Sequence, residues 1–79
     1  MAEKTVKAPM PGTFYRRPDP ESETYVEEGD TVSAGDPVGL IEVMKSFHEI
    51  KAEEDGTVVK ILVEDEEAVS AGQDVIELE

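Results

Sequence analysis

A repeated segment is the feature of this sequence that most restricts its fold. The motif Val32-Ser33-Ala34-Gly35 recurs unchanged, 37 residues later, as Val69-Ser70-Ala71-Gly72. Val26 and Val63 flank the two copies with the same offset. A small duplicated unit has an apolar face that it cannot bury alone, and its twin supplies the matching face. The repeat therefore predicts two similar halves related by a pseudo-two-fold axis.

The first half is longer than the second by seven residues. At the beginnings of the halves the offset is 44 rather than 37, so that Gly12-Thr13 corresponds to Gly56-Thr57. The additional residues must lie between Thr13 and Val26, and we place the insertion at about residues 15–24. Such an insertion predicts a loop that protrudes from the paired halves, and its distinctive residues are Tyr15, Arg16, Arg17, Pro18, Asp19 and Pro20.

Valine-rich segments separated by glycine and proline indicate strands. Valine occurs ten times and leucine three times, and β-branched side chains favour strands over helices. No stretch shows the 3.6-residue apolar period of an amphipathic helix. The pattern predicts an all-β antiparallel sandwich or barrel with strands near residues 5–8, 12–15, 38–43, 47–52, 57–63 and 75–78. We expect its core to include Ile41, Leu78, Ile50, Val58 and Ile61.

The charge of the chain excludes several classes of partner. Lys+Arg number 7 and Asp+Glu number 20, which gives a formal net charge of −13. Phosphate backbones and anionic lipid headgroups would repel this surface, so we expect neither a nucleic-acid partner nor a membrane partner. The length suits a single domain over residues 1–79, and the apolar content of 38% favours folding over disorder.

The absence of cysteine excludes disulfide bonds, thiolate zinc sites and thiol nucleophiles. We expect no metal site. No apolar stretch approaches the ~20 residues that span a bilayer, and the N-terminus has no apolar signal segment. These features predict a cytoplasmic location.

The connection between the two halves is a candidate functional site. The first half ends near Val43 and the second begins near Phe47, which leaves Met44-Lys45 as a two-residue hairpin turn. Such turns need positive φ angles and favour Asn or Gly, so Met-Lys breaks the local rule. A turn of this kind points to function. A lysine at a hairpin tip suits covalent attachment of a group that must travel.

Three sequence segments carry a resemblance to a known family over nearly the whole chain. Glu42-Val43-Met44-Lys45 between the repeats, together with Ala8-Pro9-Met10 and Gly12-Thr13-Phe14-Tyr15-Arg16, resembles the biotinyl domain of biotin carboxyl carrier proteins. The resemblance implies a flattened β-sandwich of two four-stranded sheets (a barrel-sandwich hybrid). It also implies biotin in amide linkage to Lys45, with Glu42, Val43, Met44 and Ser46 as the modification motif. The insertion resembles the "thumb" of acetyl-CoA carboxylase carriers.

The resemblance implies a non-catalytic role. A biotin protein ligase attaches the cofactor, a separate biotin carboxylase loads it with a carboxyl group, and a carboxyltransferase receives that group, as in fatty acid biosynthesis. The domain contributes tethering, which raises the effective concentration of the group at each active site. Alternatives are a carrier for another biotin-dependent carboxylase, a lipoyl-type carrier and an unmodified binding module.

Three other groups of residues allow alternative interpretations. Ser46 and His48 share one strand face, but a nucleophilic site needs a third partner. The acidic run Glu64-Asp65-Glu66-Glu67 lacks the pattern of an EF-hand, so we interpret it as a solvated loop rather than a calcium site. Arg16 and Arg17 are the only arginines. They could contact biotin, anchor the thumb to carboxylates, or meet a partner.

Overall fold

Residues 4–79 are described by the structure, a computed structural model, and they form eight short strands. The strands are β1 (Lys4–Lys7), β2 (Gly12–Tyr15), β3 (Thr31–Val32), β4 (Pro37–Val43), β5 (Ser46–Lys51), β6 (Gly56–Ile61), β7 (Glu67–Val69) and β8 (Asp74–Leu78). The apolar pattern predicts six of them. It does not predict β3 and β7, because strands of two and three residues are too short to show an alternation.

The strands form two four-stranded antiparallel sheets with the orders β1-β8-β6-β3 and β5-β4-β2-β7. Exchanging β1 with β5, β2 with β6, β3 with β7 and β4 with β8 turns one order into the other. The predicted pseudo-two-fold sandwich of two four-stranded sheets is confirmed. It is flattened, with extents of 34 × 27 × 20 Å.

Pairings between strands mostly join one half of the chain to the other. The pairs β1–β8, β2–β7, β3–β6 and β4–β5 each combine a strand of the first half with a strand of the second. The pairs β2–β4 and β6–β8 lie within one half. One half alone would form no more than isolated two-stranded pairs, which are marginally stable in water. The halves therefore depend on each other for folding.

The repeated motif forms the same turn in both halves. Gly35 and Gly72 have φ angles of 93° and 82°, a left-handed conformation that glycine adopts without steric cost. The Gly35 N–H donates to the carbonyl oxygen of Ala52, and the Gly72 N–H donates to that of Ala8, each at 2.8 Å. Each turn is thus hydrogen-bonded to the residue that follows the first strand of the other half.

A single apolar core fills the space between the sheets. Of the predicted core residues, Ile41, Leu78, Ile50 and Val58 are at most 2% exposed. Ile61 is only partly buried and packs against the margin of the core, because it lies at the end of β6 beyond a shift in the β6–β8 register. Within residues 4–79 there is no helix with the length and hydropathy that crossing a membrane requires.

Replacing Ile41 by alanine should lower the free energy of unfolding by about 2–4 kcal/mol, because it leaves a cavity in a packed core. Domains of this size have a stability of roughly 5 kcal/mol, so the loss should be plain in urea or thermal unfolding. Met44→Ala is the control at a side chain that is 92% exposed, and we expect a change within about 0.5 kcal/mol. A larger loss for Met44→Ala than for Ile41→Ala would contradict the core assignment.

An ion pair between Lys7 and Asp74 fastens edge strand β1 to β8 and makes stability depend on pH. The Lys7 ammonium donates to the Asp74 carboxylate and holds the pKa of that carboxyl below its usual value of 3.8. A lowered pKa in the folded state stabilises the protein above the unfolded value, and the benefit is lost as the pH falls through the folded pKa. Asp74→Asn should therefore lower the melting temperature slightly at pH 7 and by less at pH 2. An equal loss at both pH values would show that the carboxylate charge is not responsible.

Candidate functional site

Met44 and Lys45 form the two-residue turn that joins β4 to β5. The last paired residues before the turn are Val43 and Ser46. Both turn residues have positive φ, 49° for Met44 and 68° for Lys45, which is the type I′ geometry. For residues with a side chain this conformation costs about 1–2 kcal/mol each. The structure therefore presents both side chains on a backbone that glycine or asparagine would form at lower cost.

Glu42 holds this turn in place from the preceding strand. One oxygen of its carboxylate accepts the backbone N–H of Lys45 at 3.1 Å, and the other accepts the Tyr15 hydroxyl at 3.4 Å. Burial raises the pKa of Tyr15, and the negative charge of Glu42 raises it further. Tyr15 belongs to β2, so the turn is linked to the strand that leads into the inserted loop.

The side chains at the tip differ in exposure. Met44 is 92% exposed, Lys45 and Ser46 are also exposed, and Val43 is half-buried. The turn thus offers a thioether and a primary amine to solvent, side by side.

Arg16 anchors the loop that follows β2. Its carbonyl oxygen accepts the N–H of Tyr25 at 2.8 Å, which closes the base of the loop. Its guanidinium donates through Nη2 to the carbonyl oxygen of Val26 at 3.3 Å, and its backbone N–H donates to Asp65 at 2.8 Å. Of the roles that the sequence leaves open for Arg16, anchoring the loop is the one that the structure describes.

The tip of the loop is ordered by Asp19. Its carboxylate accepts the N–H of Glu21 at 3.0 Å and the hydroxyl of Ser22 at 2.8 Å. The hydrogen bond from Ser22, followed by that from Glu21, lowers the pKa of Asp19. The exposed Pro18 and Pro20 restrict the backbone on either side. The loop therefore projects as a stiff element.

A cleft of about 750 Å³ lies between this loop and the outer face of the β5-β4-β2-β7 sheet. On the sheet side, Leu40 is buried although it faces away from the core, Phe47 is 60% exposed, and the rings of Tyr15 and Phe47 approach with centroids 6.5 Å apart. We name this the thumb cleft, and its lining residues are Tyr15, Arg17, Pro18, Asp19, Pro20, Leu40, Phe47, Asp65 and Glu66.

The structure brings most of the predicted site residues together and separates others. The modification motif and the loop meet through the contact between Tyr15 and Glu42. His48 and Ser46 are both exposed on β5, and no hydrogen bond joins them in the described part of the chain. Over residues 4–79 no three His, Asp or Glu side chains come together as ligands for a metal ion.

Sequence reasoning did not assign Leu40, Phe47 or Glu66 to the site. Nothing in a strand pattern marks an outward-facing Leu40 as buried, because the loop that covers it is distant in sequence. Glu66 carries a signal that was available: in the repeat it occupies the position of a glycine, Gly29.

Comparison with known proteins identifies the family. A family profile described as "Biotin-requiring enzyme" matches residues 4–78. The chain belongs to this biotin/lipoyl family. It is 42% identical over 74 residues to the biotin carboxyl carrier protein of acetyl-CoA carboxylase from Haemophilus influenzae, covering 94% of this chain and 48% of that protein. The chloroplastic carrier protein from Glycine max is 48% identical over 65 residues, covering 82% of this chain and 25% of its own length.

A solved structure with the same fold belongs to the urea carboxylase of Kluyveromyces lactis. It superposes with a TM-score of 0.78 at 31% sequence identity, over 95% of this chain and 6% of that enzyme. The chain spans half or less of the relatives that it matches. The resemblance inferred from the sequence is confirmed at the level of the family, and biotin is the cofactor that this family requires.

The thumb cleft has the chemistry that a biotin ring needs. The ring combines an apolar thioether portion with a ureido group that offers two N–H donors and one carbonyl acceptor. Leu40, Phe47 and Pro18 provide apolar surface. The Nε atoms of Arg16 and Arg17 are both buried without a hydrogen-bond partner among the described residues, and of these two arginines it is Arg17 that lines the cleft. The Arg17 guanidinium can therefore donate to a carbonyl oxygen there. These residues fit the cofactor.

Replacing Met44-Lys45 by Asn-Gly should raise the free energy of unfolding by about 1–2 kcal/mol. The substitution lowers the left-handed strain at both turn positions, and the larger conformational entropy of glycine in the unfolded chain offsets part of that gain. Chemical unfolding of the double variant against wild type measures the difference. Glu42→Ala is the opposing control, since it removes the acceptor of the Lys45 N–H and should destabilise the turn. A less stable Asn-Gly variant would show that the turn is not strained.

Proposed function

We propose that this chain is the biotin-carrying domain of a biotin-dependent carboxylase, with biotin in amide linkage to Lys45. The observation that carries the proposal is the position of Lys45, exposed on a strained two-residue turn at the junction of the halves. When bound, biotin supplies the ureido ring on which an activated carboxyl group travels between active sites. The relatives of this chain favour an acyl-CoA carboxylase, specifically acetyl-CoA carboxylase.

The residues of the chain bind and position the cofactor. Lys45 provides a four-carbon stem whose amine becomes a neutral amide. Glu42 fixes the backbone of the turn, Met44 is the side chain that a biotin protein ligase would contact, and the thumb cleft receives the ring. The loop at about residues 15–24 serves as the thumb, and one domain accounts for residues 1–79.

The partners of such a carrier are a biotin protein ligase, a biotin carboxylase and a carboxyltransferase. We infer that the chain itself is not an enzyme, because tethering alone raises the concentration of the carboxyl group at each active site. A cytoplasmic location stays a prediction, since the Glycine max relative is named as chloroplastic.

Lys45 should be the single modified lysine. After incubation with a biotin protein ligase, ATP and biotin, intact mass should show one adduct, and peptide mapping should place it on Lys45. Lys45→Arg should remove the adduct without unfolding the domain. Lys51→Arg changes an exposed lysine at the far end of β5 and is the matched control, which should leave biotinylation unchanged. Biotin on Lys51, or lipoate on Lys45 in a host that makes both, would refute the assignment.

Shortening the thumb should affect the biotin ring and not the fold. Removing residues 17–23 keeps the Arg16 anchor and brings the loop to the length of the second half, which closes without an insertion. The change in loop-closure entropy is below about 1 kcal/mol. In the biotinylated deletion variant, the ring-proton NMR shifts should move toward those of free biotin, and carboxyl transfer should weaken. Ring shifts in the intact domain that already equal those of free biotin would exclude a thumb contact.

A further inference from the structure

Glu66 has a backbone conformation that its side chain makes costly. Within residues 4–79, the residues other than glycine with positive φ are Met44, Lys45 and Glu66. The first two form the turn between β4 and β5. Glu66, with a φ of 67°, lies in the loop before β7. Left-handed residues that are not glycine concentrate at functional sites.

The repeat supplies an internal control for this position. Gly29 corresponds to Glu66 with the offset of 37, and its φ is 96°. The Gly29 N–H donates to the carbonyl oxygen of Val58 at 2.8 Å, and the Glu66 N–H donates to that of Phe14, the counterpart of Val58, at 2.6 Å. The two positions make the same backbone contact. Glycine satisfies it in the first half without strain, so the backbone gives no reason for glutamate in the second.

Glu66 lies beside a cleft that has no equivalent at Gly29. It lines the thumb cleft, and the inserted loop that forms the other wall is present only once in the chain. Its carboxylate is close enough to Tyr15 to contribute, after burial and Glu42, to the raised pKa of that hydroxyl. In the described part of the chain the carboxylate forms no ion pair and accepts no hydrogen bond.

We infer that Glu66 is a cofactor-facing residue whose carboxylate accepts one N–H donor of the biotin ureido ring in the thumb cleft. The inference rests on the proposed function of Lys45. Arg17, on the opposite wall, offers a donor to the ureido carbonyl, and Glu66 offers the complementary acceptor. A charged acceptor makes a stronger hydrogen bond than a neutral one. The strain at Glu66 lowers the stability of the fold, and the hydrogen bond to the cofactor is the reason that glutamate occupies this position. Functional sites commonly reduce stability in this way.

Two substitutions separate the backbone from the carboxylate. Glu66→Gly removes both the strain and the acceptor, whereas Glu66→Gln keeps the strain and the length of the side chain but removes the charge. Glu64→Gln is the matched control, because it makes the same change of charge in the same loop outside the thumb cleft. Each variant is measured without biotin by thermal unfolding. After enzymatic biotinylation it is measured by NMR of the ureido N–H protons.

We expect Glu66→Gly to raise the melting temperature of the unmodified domain by about 3 °C, with Glu66→Gln near wild type. In the biotinylated forms, the difference in ureido N–H shifts from free biotin should fall by at least half in both Glu66 variants. It should stay unchanged in Glu64→Gln.

Equal ureido shifts in wild type and both Glu66 variants would overturn the inference while leaving biotin on Lys45. A melting temperature lowered by Glu66→Gly would overturn it too, because glutamate would then have a structural reason to be there. Failure of the proposed function is a separate observation: the wild-type mass would not increase at Lys45, and both ideas would fall together.

Discussion

The interleaving of the two halves is the constraint on which the rest of the structure depends. Each sheet takes two strands from each half, so the apolar residues of one half are covered only when the other half is in place. For a chain with a net charge of −13, burial between the sheets has to outweigh the repulsion among surface carboxylates. The core meets this need with residues such as Ile41 and Ile76, both 0% exposed.

The proposed site lies where the two halves differ. The outer face of one sheet carries Tyr15 and Leu40, and the corresponding positions in the other half are Val59 and Glu77. Covering the first face is the inserted loop, which has no counterpart. The Met44-Lys45 turn is unique for a topological reason, since only one connection can join two halves. Symmetry therefore supplies the scaffold, and departures from it form the Met44-Lys45 turn and the cleft beside it.

Backbone strain is also found where the two halves differ. Where the turns serve only the fold, glycine occupies the left-handed positions, as at Gly35 and Gly72. At Met44, Lys45 and Glu66 side chains occupy such positions instead. The sandwich tolerates this cost because the strained residues lie in short loops whose ends are fixed by paired strands. The residues that stabilise the fold are thus different from those of the proposed site.

The sequence by itself determined the duplicated β-architecture, the place of the Met44-Lys45 turn and the existence of the insertion. These features can be read from the order of residues along the chain: a repeated motif, an offset that changes by seven residues, and a two-residue turn without the expected Asn or Gly. Four of the five predicted core residues follow from alternation along a strand, whereas the partial exposure of Ile61 depends on a register shift that alternation does not show.

Only the tertiary structure decided which distant residues meet. The short strands β3 and β7, the anchoring of Arg16 by Asp65 and Val26, and the thumb cleft all arise from contacts between segments that are far apart in the chain. Leu40 is buried on an outer face because a loop folds over it, and no pattern in its own strand encodes that cover. Periodicity records which face of a strand is apolar, but the partner of that face is set by packing in three dimensions.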